Sequence, residues 1–131
     1  MSLKLAVQGY LPAITPNAVI AKVTTPTANS YTEYGEPCSL IATNFTDPND
    51  LGLSNLPLQD LPLAVDVIVE VTALTTGSSV FYAAAWVPGT TLSNGKLQLF
   101  VAGSEFSGTW STWNGYGVTI YLIIYMNPSD E

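Results

Sequence analysis

The chain has 131 residues, 47% of them hydrophobic and 10% charged, with a net charge of −7. Its only cations are Lys4, Lys22 and Lys96, and it contains neither Arg nor His. This length supports one buried core without metal or disulfide, and a mean hydropathy of +0.30 speaks against disorder. Proton transfer near neutral pH and recognition of phosphate or carboxylate lose their usual side chains. The composition therefore points to a non-enzyme. Three scattered lysines make no track for nucleic acid, and an anionic membrane surface repels a chain of this charge.

Nine Pro and ten Gly are spread along the sequence, leave little room for helices and predict an all-β fold. Residues 3–7 and 18–24 are the first strand candidates. Residues 25–37, with Pro26, Asn29, Ser30 and Gly35, read as a loop, and residues 38–45 as a further strand. Residues 47–62 read as a long connection pinned by Leu51, Leu53, Leu56, Leu58 and Leu61, with room for a helical turn at 50–53.

Residues 63–74 alternate most clearly. Val65, Val67, Val69, Val71 and Ala73 share one face, opposite Asp66, Glu70 and Thr72 with Ala64 and Ile68. Residues 79–87 follow a turn-rich link, which predicts a hairpin between the two segments. Pro88-Gly89 ends the second. Asn94-Gly95 is a turn signal that accommodates positive φ. Residues 96–102 then place Leu97, Leu99 and Val101 on one face. Residues 103–115 read as a polar and aromatic loop. Residues 116–126 form the last strand, apolar on both faces and expected at the centre of a sheet with cover on both sides. Seven strands with long connections predict a single-domain β-sandwich or small barrel of Greek-key or jelly-roll character, spanning residues 1–131. Residues 1–11 show no signal peptide, and no run reaches about 18 apolar residues. Synthesis in the cytoplasm is expected.

Few residues carry chemistry. Asp66 and Glu70 lie at i and i+4 on one strand face, roughly 13 Å apart at about 3.3 Å per residue, too far for the carboxylate pair of a glycosidase, which needs roughly 5–9.5 Å. Glu33 and Glu36 share a loop with Tyr31 and Tyr34 but have no partner motif. Asp47-Pro48-Asn49-Asp50 offers hard oxygen ligands, yet without EF-hand spacing it reads as a turn. Cys38 has no neighbouring base and reads as a small buried residue. No cofactor or metal is expected. Trp110, Trp113 and Tyr116 mark the segment with most potential. Together with Tyr31 and Tyr34 they form a candidate protein interface, with a sugar-stacking loop and a cap on the core as alternatives.

Thr, Ser and Asn make up about a quarter of the chain. This uncharged exterior suits a protein covered by partners, including copies of itself. The chain resembles the small β-proteins of tailed-bacteriophage virions, such as capsid decoration (cement) proteins. The segments carrying the resemblance are the short start Met1-Ser2-Leu3-Lys4-Leu5-Ala6-Val7-Gln8-Gly9-Tyr10 leading straight into a strand, the final strand Gly117-Val118-Thr119-Ile120-Tyr121-Leu122-Ile123-Ile124-Tyr125-Met126, and the His-free Thr/Ser/Asn-rich body between them. The resemblance implies a structural subunit located in the virion and made in the host cytoplasm. Its partner would be the major capsid protein or another virion protein, and it would form a homo-oligomer, a trimer among the options. A carbohydrate-binding sandwich in a host-recognition structure and a small tail or baseplate component are the alternatives.

Overall fold

A computed structural model describes residues 2–11, 18–50, 61–71 and 80–126. The fold is all-β, as the composition predicts. Nine strands occur among the described residues, three of them only two residues long: β1 (Lys4–Leu11), β2 (Ala18–Thr24), β3 (Glu36–Pro37), β4 (Phe45–Thr46), β5 (Ala64–Val71), β6 (Tyr82–Val87), β7 (Lys96–Val101), β8 (Ser104–Glu105) and β9 (Val118–Tyr125). One five-residue helix, α1 (Trp110–Asn114), precedes β9.

The strands form two sheets. The larger has the order β4-β1-β2-β9-β5, antiparallel except for the parallel β1–β4 contact. The smaller has the order β3-β7-β6, with β8 also pairing with β7. Period-2 alternation decides what lies between them. Leu5 and Val7 from β1, Val19, Ala21 and Val23 from β2, and Ile120, Leu122 and Ile124 from β9 are buried from one side. Leu97 and Leu99 of β7 meet them from the other, with Tyr82, Ala84 and Trp86 of β6 packed against the same cluster.

Several expectations change. Among the described residues β5 and β6 approach one another but share no ladder: β5 pairs along its whole length with β9, and β6 with β7. The turn-rich link between them, residues 72–79, lies outside the described residues, as do residues 51–60 with four of the five connecting leucines. β9 is central by pairing, between β2 and β5. Only its inner face is buried, however, and Thr119, Tyr121, Ile123 and Tyr125 remain half-buried outside.

Of residues 38–45, expected as one strand, only Phe45 lies in a strand, as the first residue of β4, and residues 38–44 do not. They form a corner between the sheets, bounded by β3 and β4 and containing the 3-10 turn Ala42–Asn44. Cys38 N donates to Gly95 O at 2.9 Å and Leu40 N to Leu92 O at 2.8 Å. Buried Asn44 donates through Nδ2 to Leu3 O and Ser39 O, each at 2.7 Å, and so replaces ladder bonds with side-chain bonds. Asp47–Asp50 closes as a turn, with Asp50 N donating to Asp47 O at 3.1 Å. Asn94 keeps negative φ. Its side chain organises the β6–β7 loop, accepting from Thr91 N at 2.9 Å and donating to Thr90 Oγ1 at 3.0 Å. Gly95 lies flat beneath the Trp86 ring, where a Cβ would collide with it.

Cys38 is fully buried, and burial pushes its thiol from the ordinary 9.0 up to about 12. The unfolded chain therefore releases this proton first as pH rises. The stability Cys38 contributes is intact below about pH 9 and is lost towards about pH 12. Burial and the bond to Glu105 raise the Tyr31 hydroxyl in the same sense. Melting temperature should fall between about pH 8.5 and 11, and Cys38→Ala should shallow that slope. Thiol titration at neutral pH should find Cys38 unreactive until the protein unfolds. A thiol that reacts rapidly in the folded state would contradict this burial.

Candidate interaction site

The five aromatic residues singled out from the sequence do come together, but mostly inside the protein. Trp110 is 1% exposed and Trp113 0%. Tyr31 is also buried, and Tyr116 is half-buried. The rings interlock edge to face: Tyr31 with Trp110 at 5.8 Å, Phe106 with Trp113 at 5.3 Å, and Trp113 with Tyr116 at 5.8 Å between centroids. Neither Trp is available at the surface to stack on a sugar or anchor an interface.

The stretch expected to be a loop buries them because it contains α1. Thr109 caps that helix, accepting from Thr112 N at 3.2 Å. The capped turn directs Trp110 and Trp113, three residues apart, to one side. Backbone bonds from Trp110 N to Asn29 O at 3.0 Å and from Tyr31 N to Gly108 O at 2.9 Å latch the helix to the preceding loop.

Tyr34 is the exception, at 75% exposed. It has φ +70°, a left-handed conformation unfavourable for a bulky side chain, and is followed by Gly35 at φ +131°. Two interactions maintain this geometry. Glu105 Oε2 accepts from Tyr34 N at 2.6 Å and from the Tyr31 hydroxyl at 2.7 Å, while that hydroxyl itself accepts from Leu99 N at 3.1 Å. Gln98 Nε2 donates to Tyr34 O at 3.3 Å. Charged acceptors make stronger hydrogen bonds than neutral ones. Glu105 therefore serves as an anchor for the loop.

Tyr34 stands beside the outer face of the smaller sheet. Since Tyr82, Ala84 and Trp86 point into the core, Ala83 and Ala85 point out. Phe81, 78% exposed, continues that outward series, and its carbonyl accepts from Ala102 N at 2.8 Å. Ala83 is paired with Phe100, and Phe100 with Glu105. Phe81 and Phe100 thus share one open face, and the Tyr34 backbone is tied to it through Gln98 and Glu105. Sequence reasoning missed Phe81, Phe100 and Glu105. Residues 81–87 are apolar on both alternating faces, so the sequence does not indicate which one is buried, and Glu105 is a lone acid with no spacing signal.

The remaining acids are spread out. Asp66 and Glu70 lie on the outer face of the larger sheet, where Asp66 Oδ2 accepts from the Tyr125 hydroxyl at 3.1 Å. Glu33 is exposed. Glu36 is buried, at 4% exposed, and accepts from Thr32 N at 2.8 Å through Oε1. Cys38 holds its proton well above neutral pH and is no nucleophile there. Among the described residues, no helix is long and apolar enough to cross a membrane. No family model, curated protein or solved structure matches the chain.

Four stability outcomes are expected. Trp113→Ala should cost about 3–5 kcal/mol, the usual loss for a buried Trp. Trp113→Phe should cost clearly less, because the Trp113 indole N–H has no acceptor among the described residues and Phe removes that donor. Glu105→Gln should cost roughly 1.5–3 kcal/mol through loss of a charged acceptor. Tyr34→Asn should leave stability unchanged or raise it, because Asn tolerates left-handed φ. Chemical denaturation of the four variants would check all of these, and a Tyr34→Asn protein markedly less stable than wild type would refute the strain at this position.

Proposed function

We propose that the protein is a non-enzymatic structural subunit that works by contact, and that its setting is the tailed-phage virion, where it decorates and stabilises the assembled capsid. The observation that carries this reading is Tyr34. A large aromatic side chain stands in solvent, in a backbone conformation that costs about 1–3 kcal/mol, with its amide clamped by a carboxylate. Folding alone gains nothing from this arrangement, whereas a partner surface would. Aromatic side chains anchor interfaces, and those beside Tyr34 extend the patch along the sheet.

The acids fit the same reading. Glu105 and Glu36 hold backbone and hydroxyl groups of the protein itself. The carbohydrate-binding alternative loses its basis, because the two Trp residues it needs are core side chains. On a lattice, each copy would lay the Tyr34–Phe100–Phe81 face across neighbouring capsid subunits. A specific contact buries about 1,600 Å² in total, and repetition over the shell lets modest individual contacts suffice.

Co-sedimentation with capsids assembled without the protein tests this. Wild type should bind and remain bound as salt rises from about 0.1 to 1 M, since screening weakens mainly exposed charge contacts. Tyr34→Asn and Phe81→Ser should fold normally, yet each should weaken attachment by about 2 kcal/mol, roughly thirtyfold. Undiminished binding by both variants, or a complex that dissociates in high salt, would overturn the proposal.

A further inference from the structure

The outer face of the larger sheet has a charge pattern that the smaller sheet lacks. Alternation turns Lys4 of β1 and Lys22 of β2 outward at one side, and Asp66 and Glu70 of β5 outward at the other. Two of the chain's three cations are thus on this face, in a protein of net charge −7. An apolar and aromatic stripe crosses the sheet from Ile20 of β2 through Tyr121 and Ile123 of β9 to Ile68 of β5. Ile68 is 44% exposed and Tyr121 and Ile123 are half-buried.

Strand register places these side chains in rows across the sheet. Lys22 is opposite Tyr121, and Tyr121 opposite Ile68. Ile20 is opposite Ile123, and Ile123 opposite Asp66. Lys4 pairs with Thr24 at one side, and Glu70 with Thr119 at the other. Continued one turn of the ladder further, the β2–β9 register brings Thr24 level with Thr119, so Lys4 and Glu70 terminate the same row.

We infer that this face binds a second copy of the chain, sheet against sheet, about a two-fold axis parallel to the strands. Such an axis reverses the lateral order of the strands and preserves the rows. β1 of one copy then lies over β5 of the other, and β2 over β9. Lys4 meets the second copy's Glu70, and Ile20 meets its Ile123. Lys22 lays its stem and ammonium over the second copy's Tyr121. Each contact occurs twice, and neither charged side meets its own sign. The alternative axis, perpendicular to the strands, would set lysines over lysines. Four strands at about 4.8 Å spacing and eight residues at about 3.3 Å each give a face of roughly 20 by 25 Å, enough for the two copies together to reach the roughly 1,000 Å² of a specific interface.

This inference does not depend on the partner proposed for the smaller sheet, and one set of variants separates the two. Sedimentation velocity on the full chain at about 100 µM and low salt, a concentration suited to micromolar dimers, should find a dimer. Lys4→Glu alone and Glu70→Lys alone each create two like-charge contacts and should weaken dimerisation roughly tenfold. The double variant Lys4→Glu/Glu70→Lys restores both pairs and should recover the wild-type dissociation constant. All these positions are exposed, so melting curves recorded at dilution, where the monomer predominates, should be unchanged. Ile68→Glu should yield a monomer, and Tyr34→Asn and Phe81→Ser should remain dimers. A wild-type monomer or trimer, or a double swap no better than the worse single change, would overturn the inference while leaving capsid binding through Tyr34 to be judged by its own assay.

Discussion

Tyr31 joins the interior of this protein to its surface. Its ring packs in the core against Trp110 and Phe106, while its hydroxyl accepts from the Leu99 amide and donates to Glu105. The same carboxylate oxygen holds the Tyr34 amide. A core side chain, a central strand of the smaller sheet, a short edge strand and an exposed aromatic are therefore linked by one hydroxyl and one carboxylate. Burial raises the cost of breaking this network, because either group left alone would be a desolvated polar atom without its partner.

The arrangement also explains how a chain so poor in charge stays organised near its surface. With few ion pairs to draw on, the loops are fastened by amide and hydroxyl side chains to backbone. Asn44 ties the corner after β3 to Leu3, Asn94 closes the β6–β7 loop, Asn114 donates to Pro26 O at 2.8 Å, and Thr109 starts α1. Neutral hydrogen bonds of this kind are little affected by salt. They leave the outer faces of both sheets to side chains with no role in the core, and those faces differ. One is aromatic and almost uncharged, and the other is apolar with opposite charges at its two sides. A protein with two such faces is suited to connecting neighbours.

Much of the fold was legible because strand alternation is a local signal. Residues 18–24 read as a strand and are one. The valines of β5 turn inward and Asp66 and Glu70 outward as their spacing requires, and Leu97 and Leu99 are buried. Of the candidate site, the sequence picked out Tyr34 and Tyr31 as members of one loop but could not separate their roles. The two tyrosines are three residues apart with similar neighbours, yet one ring is in the core and the other in solvent. What separates them is Glu105, some seventy positions away, and no local pattern encodes that contact.

By itself the sequence determined the β class, the absence of His and Arg, and the inward and outward sides of its cleanly alternating strands. These follow from composition and period-2 spacing, which neighbouring residues settle among themselves. Tertiary structure decided which strand pairs with which, so that β5 adds to β9 and not to the segment that follows it. It placed Trp110 and Trp113 inside, because a capped turn of helix directs both towards the core. It also selected, from the two alternating apolar series of residues 81–87, Tyr82, Ala84 and Trp86 for packing against the core, leaving Phe81 and Ala83 in solvent. Each of these outcomes depends on contacts between segments distant in the chain, where the larger buried area and the satisfied backbone pairings choose between arrangements that look equivalent locally.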